Sequence, residues 1–172
     1  TPTSGAYTGI DSASTKWYVP LAAKNASSAT GTANTQVVIQ NLGSAAVDFK
    51  AEMYAFGATS PSYTKNFTNL STGASVLFDL ADDPGVPSGW WGSVVVSTTS
   101  GQLGVISHMF FGENSMMAFN GFPLESIYES WFIPLLYVRL SNSLTTSLAI
   151  QNLSGVQIPA NDLTLSCTKN PN

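Results

Sequence analysis

The chain has 172 residues, six basic and ten acidic, for a formal net charge of −4. Six cations cannot neutralise a phosphate track, which argues against a nucleic-acid partner. One Cys and one His exclude an internal disulfide framework and a Cys/His zinc cluster, and no apolar run approaches the ~18–20 residues of a membrane span.

Helical periodicity is nearly absent. Period-2 alternation recurs instead, in short apolar runs bounded by Gly, Ser, Asn and Pro. In chain order this pattern predicts strands over residues 17–22, 35–41, 47–56, 75–80, 92–98 and 103–111. Residues 81–89, rich in Asp, Pro and Gly, read as a loop on turn chemistry alone. Many short strands at such spacing indicate an all-β chain, with an Ig-like antiparallel β-sandwich as the leading fold. The 23 Ser and 17 Thr give the hydroxyl-rich, weakly charged composition of exported β-proteins, so an extracellular location is expected. Nothing at the N-terminus reads as a signal peptide.

The chain repeats itself. Trp17-Tyr18-Val19-Pro20-Leu21 returns as Trp131-Phe132-Ile133-Pro134-Leu135. Thr35 to Leu42, containing Gln40-Asn41-Leu42, returns as Thr146 to Leu153, containing Gln151-Asn152-Leu153. Asp48 to Met53 returns more faintly as Asp162 to Cys167. A fourth echo links Ala118-Phe119-Asn120-Gly121-Phe122, which closes the first copy, to Ala6-Tyr7-Thr8-Gly9-Ile10, 112 residues earlier. The N-terminal segment therefore reads as the closing strand of a unit whose body is missing.

Three regions follow: an N-terminal arm over residues 1–16, a complete sandwich over 17–125 and a partial unit over 126–172. The second copy has no counterparts of strands 75–80, 92–98 and 103–111. Its inward-facing set is Trp131, Ile133, Leu135, Leu148, Ile150, Leu163 and Leu165. Leaving these wet would forfeit on the order of 10 kcal/mol, at ~1.5–3 kcal/mol for each buried side chain. The set therefore reads as an acceptor groove. The arm, through Ala6, Tyr7, Thr8 and Ile10, reads as a donor strand laid into another copy's groove. Donor and acceptor surfaces differ, so such contacts propagate into rings or filaments.

The Trp-x-x-Pro-Leu, Gln-Asn-Leu and Gly-Ser-Val-Val-Val-Ser elements (Trp17 to Leu21, Gln40 to Leu42, Gly92 to Ser97) resemble Ig-like repeats of bacterial surface proteins. The open C-terminal half with a spare N-terminal strand is similar in architecture to donor-strand-exchange pilins. That resemblance implies a secreted fibre subunit in which one copy's terminal strand completes an incomplete Ig-like fold in another.

Candidate chemistry is sparse. His108 lies in an alternating run and has no Gly-x-Ser-x-Gly elbow to serve, so a structural role is the plainer reading. Asp79, Asp82 and Asp83 precede Pro84-Gly85, which is ordinary turn chemistry rather than a Ca²⁺ loop. Glu125 and Glu129 flank the inter-repeat linker, where solvated charge is expected. Trp90-Trp91, with Tyr18, Tyr54 and Tyr63, suggests a sugar platform. Neighbours on a strand face opposite ways, however, so one Trp is expected in the core and one at a surface or interface. Cys167 aligns with Met53 and is expected to be a buried, inert thiol, with an intermolecular disulfide as the alternative. Asn25, Asn66, Asn69 and Asn152 are candidate glycosylation sites, but about three such triplets arise by chance.

These readings predict a structural subunit of an extracellular, pilus-like helical fibril, with no catalytic residues, cofactor or metal. Its partners would be other copies of itself, with glycans as an addition. The alternatives are a monomeric carbohydrate- or surface-binding module, or a fragment of a longer surface protein.

Overall fold

The computed structural model describes residues 8–126, 128–133, 136, 146–159 and 161–168. Ten strands run β1 (Lys16–Lys24), β2 (Ala26–Ser28), β3 (Gly31–Asn41), β4 (Val47–Ala55), β5 (Tyr63–Leu70), β6 (Ser75–Asp79), β7 (Trp90–Ser97), β8 (Leu103–Phe111), β9 (Ser115–Asn120) and β10 (Phe122–Pro123). A single 3-10 turn, Leu124–Ser126, follows. Among the described residues there is no α-helix, and no helix long and apolar enough to cross a membrane.

The alternation seen in the sequence sets which face is buried. In β3, Ala33, Thr35, Val37, Ile39 and Asn41 are buried while their neighbours are half-buried. In β4 the inward set is Val47, Phe49, Ala51 and Met53. In β1 the register slips between Val19 and Ala22, so Trp17, Val19 and Ala22 all reach the core. The Trp-x-x-Pro-Leu element is this bulged strand. Pro20 sits in the bulge, where a missing N–H is tolerated.

The strands form two antiparallel sheets, a β-sandwich. One has the order β10-β1-β7-β4-β5. In the other, β3 pairs β8 on one side and both β2 and β6 on the other, with β9 beyond β8. The core between them includes Trp17, Val37, Ile39, Phe49, Met53, Phe78, Trp90, Val94, Val96 and Val105. Phe67 from β5 stacks on Phe49 at 4.6 Å and meets Phe78 edge-on at 5.6 Å, tying β4, β5 and β6 together.

The strand order departs from the expected Ig-like one. Counting β1, β3, β4, β5, β6, β7 and β8 as the seven main strands, the second pairs the fifth and the third pairs the sixth, as in an immunoglobulin sandwich. In that fold the first strand pairs the second and the seventh pairs the sixth. Here the first pairs the sixth and the seventh pairs the second, so the two end strands have exchanged sheets.

The region 126–172, expected as a half-sandwich, contains no strand among its described residues. The pairing within the first copy explains this. The duplicated elements are β1, β3 and β4. In the first copy β1 pairs only β7 and β10, β3 pairs β2, β6 and β8, and β4 pairs β5 and β7. No two of the duplicated strands are neighbours. A second copy of these three has no backbone within itself to pair with, and an unpaired strand is not stable in water.

Candidate assembly surface

The closing corner of the first copy shows what a completed unit looks like. Trp17 is 2% exposed, and its indole N–H donates to the Leu103 carbonyl at 2.8 Å. The same carbonyl accepts the Ser14 amide, and the Leu103 amide returns to the Ser14 carbonyl. Gly121 lies against this Trp: a Cβ there would stand 3.2 Å from Trp17 Cε3 and 3.3 Å from Val105 Cβ. The chain then adds to the edge of β1, Phe122 opposite Tyr18 and Pro123 opposite Trp17. Ser14 Oγ donates to Glu125 Oε1 at 3.2 Å, so Glu125 fastens the corner.

The second copy has the same side chains without that setting. Trp131 is 57% exposed and meets only aromatic edges, Phe122 at 5.6 Å and Tyr128 at 5.4 Å, among its ring contacts. Phe132 is 94% exposed. Fifteen large apolar side chains are exposed among the described residues, and ten of them lie at or beyond Tyr128. The acceptor residues Trp131, Ile133, Leu148, Ile150, Leu163 and Leu165 are all in this set; Leu135 lies outside the described residues. None of the described ones lies in a strand.

One piece of the first copy's local structure does recur. Asn41 closes the turn after β3: its Nδ2 donates to Ala45 O at 2.8 Å and its Oδ1 accepts the Gly43 amide at 2.9 Å. Asn152 does the same four and two residues on, to Val156 O at 2.6 Å and from the Ser154 amide at 3.0 Å. Asn41 Nδ2 also donates to Leu70 O on β5. Asn152 has no such bond among the described residues. Gln151 also reaches Ser93 Oγ at 3.0 Å. Ser93 and Val95 alternate with the core residues Val94 and Val96, so they face outward, yet both are buried. Gln151 thus touches the outer face of the β1-β7-β4 sheet.

The arm is partly committed to its own subunit. Thr8 Oγ1 accepts from Asn120 Nδ2 at 3.1 Å, and Ile10 lies where a Cβ on Gly104 would touch it. Thr8 and Ile10, expected at the contact with another copy, here touch their own subunit. Ala6 and Tyr7 lie outside the described residues. Between the two docked residues, Gly9 is exposed and a Cβ there would meet nothing within 4 Å.

The remaining candidates are structural or simply exposed. Trp90 is in the core and Trp91 is half-buried against a small cluster with Ala23, Ala26, Ala33 and Met109. They do not form one platform. His108 faces outward from β8, opposite Gln36 on β3 and Ala118 on β9. Cys167 is exposed, not buried as expected, because its strand has no sheet to enter. Asn25, Asn66 and Asn69 are exposed, whereas the Asn152 amide is engaged in its turn. Among the described residues no three His, Cys, Asp or Glu side chains gather as metal ligands.

The loop after β6 carries a buried ionic knot that sequence reasoning read only as a turn. Asp83 Oδ2 accepts from Lys65 Nζ at 2.8 Å, Oδ1 accepts the Gly85 amide at 2.9 Å, and the Asp83 carbonyl accepts from the buried Lys24 at 2.5 Å. Burial alone would raise the Asp83 pKa. The bonds from Lys65, the Gly85 amide and Tyr63 outweigh it and hold the carboxyl below the usual range. These groups clamp the loop so that Val86 enters the core.

No family model matches the sequence, and no curated protein matches it. Among solved structures, the fold is similar to that in the crystal structure of Thermotoga maritima 1070, with 16% identity and a TM-score of 0.51. The likeness covers 65% of this chain and 96% of that one. At that identity it speaks for the sandwich fold alone. About a third of this chain lies outside it.

Proposed function

We propose that this protein is a non-catalytic structural subunit of an extracellular, pilus-like helical fibril. The N-terminal segment of one copy inserts into the incomplete second unit of another. One observation carries the reading: the side chains that build the core of the first copy recur in the second, where they stand exposed and unpaired. Backbone pairing would fix the register and apolar burial would drive joining. The separation of Trp90 from Trp91 removes the main support for a sugar-binding module.

The test is electron microscopy of the purified full chain after concentration, with size-exclusion chromatography beside it. Long assemblies are expected, and deleting residues 1–10 should leave monomers. A full chain that stays monomeric under all conditions, or a deleted chain that still polymerises, would overturn the reading. Lectin blotting of the same material checks for glycans at Asn25, Asn66 and Asn69.

A further inference from the structure

We infer that Gly9 of one copy seats on Trp131 of a second copy, as Gly121 seats on Trp17 within the first unit. The inference rests on the fibril reading and names the contact that joins donor to acceptor.

Four observations converge. First, the closing strand approaches Trp17 through a glycine, and any Cβ at Gly121 would crowd both the indole and Val105. Gly9 occupies the matching place in Ala6-Tyr7-Thr8-Gly9-Ile10, as Trp131 matches Trp17. Second, Gly9 needs to be glycine for nothing in its own subunit. Its backbone is not left-handed and the space around it is open among the described residues. Third, residues on either side of Gly9 hold to their own subunit, Thr8 through Asn120 and Ile10 beside Gly104. Gly9 between them is exposed and open to a partner. Fourth, β1 is the duplicated strand that the closing segment pairs with directly, Tyr18 opposite Phe122. Carried across by the same offsets, Ile10 pairs Phe132 and Asp11 pairs Trp131. The missing neighbour that the arm can supply is one whose target the second copy retains.

The experiment compares Gly9→Val with wild type and with deletion of residues 1–10. Assembly is followed by light scattering and negative-stain microscopy, and the monomer by thermal melting. G9V should leave the melting curve unchanged, since Gly9 touches nothing in its own subunit, and slow assembly about tenfold or more. G121V, the same change in the first unit, should lower the melting temperature. Adding Trp131→Leu to G9V should restore part of the rate by making room for the valine. If G9V assembles like wild type while the deletion does not assemble, the Gly9–Trp131 contact is wrong and the fibril reading stands. If W131L fails to speed G9V, the valine acts elsewhere and the pairing falls. If the deletion assembles normally, both fall together.

Discussion

The two copies of the repeat place like side chains in opposite environments. Trp17 is buried and Trp131 exposed; Ile39 is buried and Ile150 exposed; Met53 is buried and Cys167 exposed. The difference does not lie in the strands themselves. It lies in β7, which runs between β1 and β4, and in β8, which pairs β3; these supply the hydrogen-bond partners. A strand's preference for extended structure is mostly a preference for neighbours. Turn chemistry is different, because it is local. Asn152 therefore keeps the bonds that Asn41 makes even with no sheet around it.

The sharpest way to break this comparison is to truncate the matched tryptophans. Trp17→Ala removes a buried ring and its bond to Leu103, and should cost about 3–5 kcal/mol of stability in chemical denaturation. Trp131→Ala should leave the monomer's denaturation curve nearly unchanged and suppress assembly. Equal losses of monomer stability from both changes would mean that the second copy is folded into the sandwich after all.

The parts of the fold legible in the sequence were those where burial writes a period into the chain. The runs of β3, β4 and β8 alternate because one face packs on the core, whereas β7, buried on both faces, reads as a continuous apolar run. Strand β5 escaped notice because it is an edge strand, Tyr63-Thr64-Lys65-Asn66-Phe67, with Thr and Asn on its wet face. Strand β9, Ser115–Asn120, has weak intrinsic preference and exists by pairing with β8. The Asp83 knot was invisible because its partners come from β1 and β5, 59 and 18 residues away. The repeat pointed to the segment that holds ten of the fifteen exposed large apolar side chains among the described residues. That the described residues there form no strand follows from topology, namely that β1, β3 and β4 are never adjacent. No pattern within a single strand records that.

Close backbone approach gives the next test. A Cβ on Gly92 would fall 2.0 Å from the Tyr54 carbonyl oxygen, so the sheet cannot hold a larger residue there without shifting. Gly92→Ala should destabilise the monomer by about 3 kcal/mol. Gly92 belongs to β7 of the first sandwich, so the loss should appear in the cooperative unfolding of that unit. Asn41 and Asn152 sharpen the contrast further. Asn41→Ala strands buried partners on β5 and both arms of its turn, for about 2–3 kcal/mol. Asn152→Ala, at an exposed turn, should change monomer stability by no more than about 0.5 kcal/mol.

The smallest expected effect belongs to the first copy alone and is set by pH. Asp83 has a folded-state pKa below that of the unfolded chain. The unfolded state therefore takes up a proton first as pH falls, and stability rises with pH across that window. The contribution of Asp83 is fully present above the unfolded value, about 3.9, and is lost as pH drops through the lower folded value. Asp83→Asn removes this ionisation, so urea midpoints measured from pH 6 down to pH 2 should fall less steeply than in wild type. The carboxyl is enclosed and bonded on both oxygens, whereas the acidic groups described in the second copy are exposed. Asp162→Asn should consequently leave the wild-type slope in place. A slope altered equally by both changes would place the acid response in overall charge rather than in the clamp that holds the loop after β6.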